Sequence, residues 1–161
     1  MAQGDMFLRV EGSKQGLIKG ESSDSMHGGE IDLLSWSWGL DGNANSFGQT
    51  TARTTLQELV IHKRVDSAST ALMSALRNNE IIKKAVLVAR KAGGSAPLEY
   101  FKLTMEKARI TAVRLHGEDG SPELKEEVRI AFWKVQVEYR PQDSSGGGRG
   151  THTFDAEVSP T

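Results

Sequence analysis

Two long alternating segments of this 161-residue chain change phase part-way. Side chains in a β-strand alternate between faces with a period of two. Within 98–115, Phe101, Leu103 and Met105 share one parity; Lys107 and Arg109 then occupy it, while Ala108, Ile110 and Ala112 hold the other. Within 126–140, Val128, Ile130 and Phe132 are in register, and Trp133, Val135, Val137 and Tyr139 continue on the opposite parity. A regular strand cannot keep one face buried across such a slip. Each segment must therefore carry a bulge or pass from one partner sheet to another. Strands that bend and change sheets make the corners of orthogonally packed sheets. The pattern predicts a mainly β fold, a small closed or nearly closed β-barrel of two orthogonally packed antiparallel sheets.

Other apolar-alternating stretches supply further strands: 7–11, 30–40, 54–65, 84–91 and, near the C-terminus, 153–158. The Gly/Ser/Asp-rich stretch 12–29 reads as a loop in which Leu17 and Ile18 can carry a short strand. The polar stretch 42–52, rich in Gly, Asn and Ser, reads as a long exposed loop, and 143–150 as a Ser/Gly connection. In 30–40, Leu34, Trp36, Trp38 and Leu40 share a face, assigned to the core because large aromatics dominate burial. Ile31, Leu33, Ser35 and Ser37 then face outward. One segment has helical spacing: Leu72, Met73 and Leu76, with Ala68, Ala71 and Ala75 beside them. It predicts a short α-helix over about 69–78 on the side of the barrel. Asp66, Ser67 or Ser69 can cap its start, and Asn78 and Asn79 can end it.

With 37% hydrophobic and 25% charged residues, the chain can bury a core, and its length suits one domain over 1–161. Twenty basic against 21 acidic side chains leave a formal charge of -1. A nucleic-acid binder neutralising phosphates, or a protein held on membranes by a basic patch, needs a cationic excess. No apolar run approaches the roughly 20 residues of a membrane span, so no membrane insertion is expected. The N-terminus lacks a basic stretch followed by an apolar one, which predicts cytoplasmic synthesis and any export by a route that reads no signal peptide. The chain contains no cysteine. Disulfides, thiolate metal sites and cysteine nucleophiles are thereby excluded.

Catalytic constellations are equally hard to find. His27, His62, His116 and His152 have no metal-ligand spacing and read as ordinary surface or loop histidines. Glu126 and Glu127 are adjacent and should point to opposite faces of a solvated strand. Lys63-Arg64, Lys83-Lys84 and Arg90-Lys91 are scattered and read as solvated faces or subunit contacts. Gly93-Gly94-Ser95-Ala96-Pro97 lacks nucleophile-elbow spacing. The expectation is a protein that is not an enzyme, with no catalytic residues, metal or cofactor.

Several stretches together resemble a known family. They are Asp5-Met6-Phe7-Leu8-Arg9-Val10; Lys19-Gly20-Glu21-Ser22, then His27; Glu30-Ile31-Asp32-Leu33-Leu34-Ser35-Trp36-Ser37-Trp38-Gly39; His62 to Leu72; Arg90-Lys91-Ala92-Gly93-Gly94; Glu99-Tyr100-Phe101; and Val135 to Gln142. In this order the chain resembles the haemolysin-coregulated (Hcp) family, the tube proteins of type VI secretion. Thr70 stands where many members have proline at the helix start, and Phe154 where relatives often have tryptophan.

The resemblance implies a phage tail-tube-like barrel. Copies of it close as a homohexameric ring and stack into the inner tube of a contractile machine. The implied partners are the chain itself, the spike protein, the contractile sheath and small effector proteins held in the lumen. It implies secretion on contraction without a signal peptide. It also places Ser37 and Ser35 on the lumen wall, where they touch effectors, and makes the loop 42–52, with Asp41 just before it, a contact between rings or subunits through Asp41, Gly42, Asn43, Asn45, Ser46 and Phe47. A different class of reading remains beside it: a monomeric β-barrel binding a small ligand inside.

Overall fold

The computed structural model describes residues 5–44, 50–91, 98–141 and 150–158. The longest element is β9 (Leu98–His116), and it contains the first phase slip. Its first half pairs with β8 (Ile82–Lys91) on one side and β11 (Lys134–Tyr139) on the other. From Arg109 to His116 it pairs instead with β10 (Lys125–Ala131). The change of partners falls where Lys107 takes φ 50°. A left-handed residue there adds one side chain to the strand and reverses the alternation. Leu103 and Met105 before it, and Ala108 and Ile110 after it, are therefore all buried.

The second slip is resolved differently. The predicted strand 126–140 is two strands, β10 and β11, broken at Phe132 and Trp133. β10 belongs with β9's second half and β11 with its first half. The two corners meet: the Trp133 N–H is shared between the carbonyls of Glu106 and Lys107, at 3.2 and 3.1 Å.

A third change of sheet lies in 30–40, which is not one strand but three. β3 (Ile31–Asp32) pairs with β1 (Met6–Gly12), β4 (Ser35–Ser37) pairs with β7 (Leu59–Arg64), and β5 (Leu40–Ala44) leaves the barrel. The chain steps across between Leu33, whose N–H donates to Met6 O, and Leu34, whose N–H donates to His62 O. The expected outward placement of Ile31 and Leu33 is corrected by this step: both are buried, because they face the core from β1's sheet. Beyond it Ser35 and Ser37 are exposed as expected, and Trp36 and Trp38 pack against the core while staying partly accessible. Leu40, also expected inside, is exposed in the departing strand.

Hydrogen-bonded neighbours run β1–β8–β9–β10–β7–β4, and the two-residue step from β4 back to β3 returns the circuit to β1. β2 (Gly16–Ile18) extends β1, and β12 (His152–Glu157) extends β11. The core is aliphatic: Leu8, Ile31, Leu59, Ile61, Leu72, Ile82, Leu87, Leu103 and Ile130 are among its fully buried side chains. The helix α1 (Ser69–Arg77) sends Leu72 and Ala75 into it. Ahead of the helix, Asp66 Oδ1 accepts the Ala68 N–H, and Ser69 Oγ accepts the Asp66 N–H. Asn78 closes the helix, and Asn79 follows with φ 52°.

The predicted exposed loop 42–52 is corrected in part. β5 and β6 (Thr50–Leu56) form a separate two-stranded ribbon, with Leu40 opposite Leu56, Asp41 opposite Thr55 and Gly42 opposite Thr54. The four threonines of β6 favour extended backbone even without an apolar stripe to reveal it. Asn45, Ser46 and Phe47 lie outside the described residues. The predicted strand 54–65 is accordingly two elements, β6 and β7.

Candidate functional site

The strands β4, β7, β10 and the second half of β9 present one continuous face away from the core. Their registers align side chains in rows across it. Ser35 stands opposite His62, His62 opposite Glu127, and Glu127 opposite Arg114. The next row is Ser37, Val60, Arg129 and Ala112. The first row is hydrogen-bonded end to end. Ser35 Oγ lies 3.3 Å from His62 Nδ1, His62 Nε2 lies 3.3 Å from Glu127 Oε1, and Arg114 Nη1 donates to Glu127 Oε2 at 3.1 Å. Arg129 Nε also donates to that oxygen. Its hydrogen bond, opposed by burial and helped by Arg114, holds the Glu127 carboxyl below the usual carboxylate range.

Ser35, His62 and Glu127 have the order of a hydrolase relay, but their setting does not support that chemistry. They lie on three neighbouring strands of an open face, with Ser35 and His62 exposed. Glu127 is already engaged by two guanidinium groups. A serine nucleophile needs water-excluding walls and donors aimed at the developing oxyanion. The row is a polar wall suited to many weak contacts. Among the described residues no group of three or more His, Asp or Glu side chains could hold a metal ion.

The two borders of this face are unlike its interior. Among the described residues, β4 pairs only with β7 on this face, and the second half of β9 pairs only with β10. Each border leaves a row of backbone donors and acceptors without a strand partner, and such edges are templates for pairing.

Two buried polar clusters hold this face and its surroundings, and both correct the sequence reading. Lys63 and Glu126, expected on solvated faces, are 0% and 1% exposed. Lys63 Nζ donates to Glu126 Oε1, Asp66 Oδ1 and Ser69 Oγ, joining β7, β10 and the helix start. Glu127, adjacent in sequence, does point to the opposite face, as expected. His27, expected at the surface, is also buried: it stacks on Phe7 with ring centroids 4.4 Å apart. Its Nδ1 lies 3.0 Å from Glu30 Oε1 and its Nε2 2.8 Å from Glu99 Oε2. Arg90, 8% exposed, grips Asp24 with both terminal nitrogens and lies 4.9 Å over the Phe7 ring. These contacts pin the loop 19–30 to the barrel beside β3, which leads into β4.

Comparison with known proteins agrees with this architecture. The family described as "Type VI secretion system effector, Hcp" matches residues 7–139. The protein hcp1 of Pseudomonas aeruginosa is 34% identical over 149 residues, which cover 91% of this chain and 89% of that protein. The crystal structure of a type VI secretion system effector from Yersinia pestis superposes with a TM-score of 0.76 at 28% identity, covering 96% of this chain and all of that one. Hcp1 of E. coli EAEC 042 shares the fold, with a TM-score of 0.78 at 20% identity over 94% of this chain and 97% of the other.

Proposed function

Since the chain belongs to the Hcp family of the type VI secretion system, we propose that it is a structural subunit that closes with five further copies into a ring, and that its rings stack into the inner tube. The observation that carries this reading is the pair of borders on one sheet that have no strand partner among the described residues. Head-to-tail contact repeats until it returns to its start. Joining the β4 border of one copy to the β9 border of the next would satisfy both rows of backbone groups. It would also turn the Ser35/Ser37 face into the wall of a shared lumen.

On that wall Ser37, with Ser35, contacts small effector proteins in transit, and the subunit is secreted with them when the sheath contracts. Small hydroxyls and a row of spread charges hold varied cargo weakly. The β5–β6 ribbon, carrying Asp41, Gly42 and Asn43, reaches a neighbouring subunit or ring together with Asn45, Ser46 and Phe47. The spike and sheath are its further partners. The protein works by assembly, not catalysis. The rival reading, a monomeric barrel around a small ligand, is disfavoured because Leu8, Ile61, Leu87 and Leu103 fill the interior.

Light scattering coupled to size exclusion tests the ring directly. The expected mass is six times that of the 17.5 kDa chain, with annular particles in electron micrographs. A monomer at every concentration would overturn the reading. Ser37→Trp tests the wall. Rings of this variant are expected to form normally but to retain at least tenfold less co-expressed effector, a difference of about 1.4 kcal/mol. Unchanged retention would remove Ser37 from the cargo surface.

A further inference from the structure

The strand pair β9–β10 carries unlike surfaces at its two ends. At the end where Arg109 faces Ala131, a groove of about 690 Å³ is lined by Ile81, Lys83, Glu106, Lys107, Arg109 and Trp133. All six are exposed, Ile81 at 43% and Trp133 at 40%. The groove sits on the barrel corner, where the Trp133 amide is tied to the Glu106 and Lys107 carbonyls, so its apolar floor is held by main chain. Three cations stand against one carboxylate. Arg109 donates to the Asn79 carbonyl and side chain. Among the described residues, Lys83 and Lys107 form no ion pair.

At the other end, between His116 and Lys125, the connection reads Gly117-Glu118-Asp119-Gly120-Ser121-Pro122-Glu123-Leu124, and every residue of it is exposed. It offers three carboxylates, of which Glu123 pairs with Arg64 at 3.1 Å. It also offers an apolar tip, Leu124 at 57% exposure, with Leu115 at 55% nearby. The groove and the loop are complementary: cations around an apolar floor, carboxylates around an apolar knob. The span from Arg109 to His116, at about 3.3 Å per residue, separates them by about 23 Å. One copy therefore cannot fill its own groove with its own loop.

We infer that the acidic loop 117–124 of one copy docks in the Ile81/Trp133 groove of a second copy, as a contact between successive rings. The inference rests on the tube reading above. Surfaces at opposite ends of one element are brought together when copies repeat head to tail. Opposite charge sets the register of such a contact, and a central apolar anchor supplies much of its strength.

The absence of cysteine makes the test direct. Lys83→Cys and Asp119→Cys are made in separate preparations, and their rings are mixed under mild oxidation. Reducible pairs of chains are expected in the mixture and at background level in either preparation alone. Independently, Lys83→Glu with Lys107→Glu is expected to leave rings intact but abolish stacks in electron micrographs. Adding Glu118→Lys and Asp119→Lys to the same chain should restore them. Rings without the cross-link, stacks unaffected by the charge reversal, or rings falling apart to monomers on reversal would each overturn the contact while leaving the ring reading standing. A wild type that forms no rings would overturn that reading first, and the contact with it.

Discussion

Lys63→Met is expected to lower folding stability by about 3–5 kcal/mol, the range for removing one partner of a buried ion pair. Methionine can fill the space of the lysine stem, so the loss isolates the charge. Lys63 is the cation that faces both Glu126 and Asp66, and Ser69 Oγ donates to the same Glu126 oxygen at 2.9 Å. Without the ammonium, the Glu126 carboxylate would remain buried with only the serine hydroxyl. Its second oxygen already lacks a hydrogen-bond partner. The double variant Lys63→Met/Glu126→Leu should recover most of the loss, because well-packed apolar replacements of buried pairs are often neutral or stabilising. Urea unfolding of wild type, both single variants and the double variant closes the cycle. All four must be compared at one protein concentration, since self-association adds its own stabilisation. A single variant within 1 kcal/mol of wild type would mean that the pair is not holding β7, β10 and α1 together.

This pair also shows what the sequence could have revealed. Lys63 shares the parity of Leu59 and Ile61, and Glu126 that of Val128 and Ile130. Two opposite charges on the core-facing parity of neighbouring strands are a readable sign of a buried pair, and the register puts them directly opposite. The same holds for 30–40. Apolar residues at 31 and 33, then at 34, 36 and 38, are a phase slip like the two that correctly marked sheet changes in 98–115 and 126–140. Reading that slip would have predicted the step at Leu33–Leu34 and the burial of Ile31 and Leu33. The outward serines were legible because they follow the slip and alternate with Trp36 and Trp38.

Other features left no local trace. The β5–β6 ribbon lacks an apolar stripe, so periodicity gives it no signal. His27 is buried by contacts with Phe7 and with Glu99, 72 residues away in sequence. Its flanking glycine says loop, and only the folded chain says core. Arg90 is similar: its partner Asp24 lies in a loop whose course no alternation fixes.

That loop gives the second large effect, which appears as a dependence on pH. The Arg90 guanidinium donates to both oxygens of Asp24. Burial opposes ionisation of Asp24, and the N–H groups of Met26 and His27 favour it. The balance holds the Asp24 carboxyl down from 3.8 to about 2. A carboxyl depressed in the folded state stabilises the fold fully above its unfolded value. That contribution is lost as pH falls through the folded value, so the window runs from about pH 4 to pH 2. Wild-type Tm should fall steeply across it. Arg90→Met keeps the stem against Phe7 but removes the charge, and at neutral pH it should lose about 3–5 kcal/mol by stranding a buried carboxylate. Between pH 4 and 2 its Tm should fall less than that of wild type, because Asp24 has lost the strongest of the contacts that favour its ionisation in the folded state. Glu80 and Glu127 are also depressed and titrate in both proteins, so the difference between the two curves reports on the carboxylates that Arg90 engages, Asp24 with both oxygens and Asp5 at 3.5 Å. Parallel curves would show that the guanidinium does not hold Asp24 ionised. The 19–30 loop would then owe its position beside β3 to the stacking of His27 on Phe7 and to the carboxylates of Glu30 and Glu99.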